Sequence, residues 1–190
     1  SDLDNNLVGW DSQDDPANPR NFPNTRKITL LALVSAITFV SPLASSIFAP
    51  GIPFVNKDFH NTSQLLGSFA VSVYVLGFAF GPLFLSPLSE IYGRYIILNC
   101  ANVFFCAFSL GCALAPNLGG LIGMRFLAGV GGSACLTIGT GVIADMFVPQ
   151  QRGKAVALYS MGILFGPILG PLCGGFILSL IHISDGAREA

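Results

Sequence analysis

A handful of polar residues stand in a sequence otherwise dominated by apolar ones, and each could do a definable kind of chemistry. Arg125 lies several residues inside an apolar run. A guanidinium there costs roughly 2.5–3.5 kcal/mol to insert, so such a residue normally faces a cavity or an acidic partner. The alternative is a side chain that snorkels from the nearer end of its helix. Glu90, Gly93 and Arg94 follow one apolar run, and Asp145 and Arg152 follow another. An acid and an arginine so placed can each meet a helix end or an opposite charge, with Gly93 making the turn of a short loop. Glu90, Arg94 and Asp145 could form a charge relay that latches one conformation, or they could be solvated surface charges.

A third pattern concerns backbone mechanics. Gly162, Gly166, Gly170 and Gly174 recur every four residues and share one helix face, with Gly175 beside the last of them. Lacking side chains, that face lets a neighbouring helix approach closely. Pro167 and Pro171 interrupt the local hydrogen bonding and can bend or soften the helix.

Little else suggests reactivity. Cys100, Cys106, Cys112, Cys135 and Cys173 lie in apolar runs with no CxxC pair, and read as small packing residues. No nucleophile–base pair, metal-ligand spacing or phosphate loop is visible, so an enzyme, a metal site and a cofactor are not expected. Asp14-Asp15 reads as a solvated acidic turn.

The elements that position these residues follow from composition. Of 190 residues, 52% are hydrophobic and 10% charged, and the net charge is −1. Soluble domains carry about 25% charged residues, so this chain lacks the means to make a polar surface. Without a basic stripe, nucleic-acid binding is excluded as a reading. A bilayer core takes about 20 apolar residues as a helix. Five stretches qualify, at about 28–50, 65–88, 95–115, 118–144 and 155–181. Period-two alternation is absent, so the spans are helices rather than barrel strands. The expected fold is an all-α membrane protein.

Arg20, Arg26, Lys27, Arg94, Arg152 and Lys154 fall on one side of these spans, and Lys57 on the other. By the positive-inside rule residues 1–27 form a cytoplasmic tail. Asn61-Thr62-Ser63 is then a weak glycosylation candidate on the outer face, at Asn61.

The run from Gly81 to Arg94 resembles the loop motif of major facilitator transporters, with Ser86, Glu90 and Tyr95 departing from it. Arg125-Phe126-Leu127-Ala128-Gly129 resembles the family's fourth-span arginine–glycine pattern, and Asp145 to Lys154 its following connector. Residues 162–175 fit G-x-x-x-G-P-x-x-G-P-x-x-G-G, the family's antiporter pattern. Residues 14–23 and 41–50 are similar to the lead-in and first span of fungal drug and polyamine exporters.

The resemblance implies the first five helices of a six-helix N-terminal bundle, working as a proton-coupled exporter of drugs, toxins or polyamines. It assigns proton coupling to Arg125, and makes Ser45, Ser46, Tyr74 and Phe78 plausible substrate-cavity residues by position. Lipid, protons, a small-molecule substrate and a missing C-terminal half would be the partners. The plasma membrane is the first expectation and the vacuolar membrane the second. A nutrient importer or symporter, and a non-transporting sensor or truncation product, are the alternatives. Residues 178–190 leave the family pattern and resemble an in-frame translation of a transposase adaptor. They are expected to be non-native, and the chain to be an inactive front fragment of a longer protein.

Overall fold

A computed structural model of the chain describes residue 15, residues 18–60 and residues 63–186. Asp14 and Asn61 lie outside the described residues. Five helices are long and apolar enough to cross a membrane. They are α1 (Asn24–Ser46), α3 (Gln64–Tyr92), α4 (Arg94–Ala113), α5 (Leu118–Met146) and α6 (Pro149–Gly186). A 3₁₀ turn (Ala49–Gly51) and the short helix α2 (Ile52–Asp58) join α1 to α3. No strand occurs among the described residues. Large apolar side chains face outward, among them Leu65, Ile91, Val103, Leu114 and Leu172. In water that surface would be an aggregation hazard, whereas in lipid it is the required exterior. The chain is an integral, multi-pass membrane protein.

The helices extend beyond the apolar stretches because hydropathy marks lipid contact, while helix ends are set by local backbone chemistry. Thus α6 starts at Pro149, whose missing N–H costs nothing in a first turn. At its other end α1 stops at Ser46, and residues of the expected first span pass into the turn at Ala49–Gly51.

The centre of the bundle is α5. Over its most apolar stretch 56% of residues are buried, against 11–28% for the other four spans. The cause is composition: Ala128, Gly129, Gly131, Gly132, Ser133, Ala134 and Cys135 are all buried, and small side chains let several helices converge on one. Alongside α5, α3 runs parallel. A Cβ on Gly77 would come 2.5 Å from the Phe126 carbonyl, and one on Gly81 would come 2.8 Å from that of Val130. On another side α4 runs antiparallel, so that Asn102 accepts a contact from Cys135 Sγ at 3.1 Å. Also antiparallel to α5 is α1, with Thr38 beside Cys135 and Ser45 beside Arg125. In turn α6 lies parallel to α1 and contacts it along most of its length.

Candidate functional site

At the end of the bundle rich in lysine and arginine, α3 passes into α4 through Gly93 alone. Its φ of +90° and ψ of 144° belong to backbone that side-chain-bearing residues avoid. No atom lies within 4 Å of a Cβ built there, so the demand for glycine is purely conformational. Gly93→Ala is therefore expected to cost about 1–3 kcal/mol. A thermal unfolding midpoint unchanged from that of the parent in detergent would contradict it.

The turn delivers Arg94 onto α5. Its Nε donates to Asp145 Oδ2 at 2.5 Å, the one ion pair among the described residues. Its guanidinium lies on Gly141, where a Cβ would collide with it. Both side chains keep substantial exposure, 33% and 47%, so the pair contributes little to stability and its value is geometric. Glu90 is a correction to the expected three-member relay. It is exposed on the last turn of α3 and makes no ion pair among the described residues. Glu90 lies on an exposed position of that turn, whereas its neighbour Ser89 is buried. Arg152 instead donates from Nη2 to the Ala144 carbonyl at 2.8 Å. There it satisfies a backbone acceptor and places positive charge at the negative end of α5.

A strap from the N-terminal segment borders this latch. The 3₁₀ turn Pro19–Asn21 lies against α5, and Asn18, Pro19 and Arg20 line a cavity with Asp145. Buried Lys27 donates from Nζ to the Arg20 carbonyl at 2.6 Å, and the Arg26 guanidinium stacks 4.0 Å from the Phe22 ring.

Toward the opposite end, Arg125 lies about two turns into α5 and is 5% exposed. It does not snorkel to the surface. Nη2 donates to the Ser45 carbonyl at 3.2 Å, and the guanidinium carbon sits 4.1 Å from the Phe48 ring centre and 5.4 Å from that of Tyr74. No carboxylate pairs with it among the described residues, and its buried Nε has no hydrogen-bond acceptor.

The glycine face of α6 packs on α1. A Cβ on Gly162 would lie 3.1 Å from the Ser35 carbonyl, on Gly166 2.9 Å from Pro42 Cβ, on Gly170 3.0 Å from Ile47 N, and on Gly174 2.9 Å from Pro50 Cγ. Gly175, Pro167 and Pro171 point away, exposed on the outer side, and nothing lies within 4 Å of a Cβ on Gly175. The helix is thus smooth toward α1 and interrupted on the face α1 does not cover.

Of the four positional cavity residues, Ser46 and Tyr74 lie inside helix contacts rather than on an open wall. Ser46 Oγ donates back to the Pro42 carbonyl at 2.9 Å and lies 3.3 Å from that of Gly166. Tyr74 is 2% exposed and donates to the Ser41 carbonyl at 3.1 Å, with Phe78 edge-on to its ring at 5.0 Å. Ser45 contributes its backbone carbonyl to Arg125.

Sequence reasoning missed Tyr159. Its ring fills the space Gly139 leaves, and its hydroxyl donates to the Cys135 carbonyl at 2.7 Å, with that of Leu136 at 3.1 Å. A tyrosine inside a span needs a polar partner, which was the available signal. Phe48, over Arg125, carried no such signal.

Five helices long and apolar enough to cross a membrane, an ion pair at one end, a buried arginine near the other and a smooth, proline-interrupted helix define a polytopic membrane bundle. The chain belongs to the Major Facilitator Superfamily, whose family profile matches residues 34–184. It is 51% identical over 174 residues to the efflux pump radE of Floropilus chiversii, covering 92% of this chain and 32% of that protein. It is 52% identical over 171 residues to the MFS-type transporter tndD of Aspergillus flavipes, covering 90% and 32%. With the MFS-type transporter penM of Penicillium rubens the figures are 51% over 174 residues, 92% and 34%. The chain spans about a third of the length of these curated relatives.

Proposed function

We propose that the full-length protein carrying this chain is a proton-coupled antiporter that exports drug-like, toxin or polyamine compounds from the cytoplasm. The observation that carries this reading is α6. Its four glycines seat on α1 and the turn that follows it, while Pro167 and Pro171 interrupt the exposed face beside that stripe. A helix built so can slide and flex against its neighbour within one bundle, which would accommodate the rocking of the two bundles in alternating access. One relative bears the name of an efflux pump, which agrees with outward transport.

In this reading the basic end faces the cytoplasm, and the plasma membrane is the site of action. The Arg94–Asp145 pair closes that end in one of the two states, tying the start of α4 to the end of α5. Opening separates the pair, and its exposure keeps the barrier low. Arg125 serves proton coupling by its charge. Among the described residues no span carries a carboxylate in its interior, so the proton carrier belongs to the rest of the protein.

The latch is tested by Arg94→Ala in the full-length protein. Accessibility of single cysteines to a membrane-impermeant maleimide should shift toward the cytoplasm-open state, by about 2–5-fold for a pair of this exposure. The double exchange Arg94→Asp with Asp145→Arg should restore the parent pattern. Unchanged labelling and unchanged transport in Arg94→Ala would remove the latch from the account.

A further inference from the structure

Among the described residues the buried Arg125 has no counter-charge. One of its donors is spent on the Ser45 carbonyl, while Nε is buried without an acceptor. A desolvated guanidinium attracts any anion that can reach it, and its planar fork suits a carboxylate better than a spherical ion. Its surroundings are aromatic: Phe48 at 4.1 Å and Tyr74 at 5.4 Å, with Phe78 edge-on to Tyr74. The faces of these rings hold the charge in the absence of an anion, and they would equally flank a flat apolar group attached to one. Phe48 lies where α1 gives way to the turn Ala49–Gly51 and keeps partial exposure, whereas Tyr74 is buried. Asp58, an acid on that side, is exposed at the end of α2 and makes no ion pair among the described residues.

We infer that Arg125 is a binding site for the carboxylate of an aromatic acid, with Phe48 as its shutter. The inference rests on the proposed export function in one respect: the anion that binds is carried by a transported molecule. Binding itself does not depend on that reading, so the two can fail separately.

The test is equilibrium binding of radiolabelled benzoate to the full-length protein purified in detergent, with benzamide as a neutral competitor of the same shape. Benzoate is expected to bind at least about tenfold tighter than benzamide, the advantage of a charge-assisted contact in a dry site. Arg125→Gln should erase the difference, Arg125→Lys should retain part of it, and Phe48→Ala should speed benzoate association. Should Arg125→Gln not fold, the benzoate-to-benzamide ratio of the parent and of Arg125→Lys decides the matter. Equal affinity for the two compounds, or a benzoate preference that survives in Arg125→Gln, overturns the inference. So does a site already closed by a carboxylate from elsewhere in the protein, which would leave benzoate without advantage. Arg125-dependent benzoate binding in a protein that moves no solute would keep the site and sink the export reading.

Discussion

Gly166→Leu is expected to abolish transport and to lower the yield of folded full-length protein. A Cβ at that position would already lie 2.9 Å from Pro42 Cβ and 3.1 Å from Leu43 N, and a leucine adds three more carbons to the same gap. Neither neighbour can yield by rotating a flexible side chain, since one is a proline ring inside α1 and the other is backbone. Overpacking of this kind costs about 1–3 kcal/mol, and here it also separates the two surfaces that must stay in contact while sliding. Gly175→Leu is the control. It lies one residue beyond the stripe, with open space around it, and should fold and transport as the parent does. Monodispersity on size exclusion and solute flux read both outcomes. Equal loss in the two variants would mean that α6 tolerates no bulk on any face, and the sliding interface would lose its support.

The second large effect is expected at Tyr159. This side chain is 1% exposed, and its hydroxyl crosses from α6 to the Cys135 carbonyl on α5. Tyr159→Ala removes the ring from the space over Gly139 and should cost about 3–5 kcal/mol. Tyr159→Phe keeps the ring and loses only the hydrogen bond, for which membrane proteins average about 0.6 kcal/mol. Thermal unfolding of the purified variants separates the terms. A Phe variant as damaged as the Ala variant would mean that the hydroxyl, rather than the ring, secures α6.

Much of the architecture was legible in the amino-acid sequence because lipid imposes few alternatives. Five apolar runs with one charge among them, Arg125, admit helices or a barrel, and the absence of period-two alternation selects helices. The glycine spacing in residues 162–174 identified a smooth face, since four-residue spacing holds whatever the partner. Which helix it meets was not legible. That is a property of the packed bundle, where α5 takes the centre because of its small residues from Ala128 to Cys135.

The charged residues divide in the same way. Arg94 and Asp145 come together because Gly93 turns the chain and Gly141 leaves room for the guanidinium, whereas Glu90 is exposed on the last turn of α3. Hydroxyl side chains were harder to read. Ser46 looked suited to a cavity, but in a span a serine can satisfy itself on a carbonyl one turn back, as it does here on Pro42. Phe48 could not be singled out, since the identity of a phenylalanine says nothing about what lies beneath it, whereas the hydroxyl of Tyr159 within a span was a usable signal.

The central claim, proton-driven export, is tested most directly in everted membrane vesicles containing the full-length protein. The vesicles are acidified inside, incubated with an extract of the source organism, and their contents profiled by mass spectrometry. The account expects at least one compound to accumulate against its gradient, and to be released when nigericin collapses the pH difference. Accumulation that ignores the pH difference, accumulation only when protons move in the same direction as the solute, or none at all would contradict it.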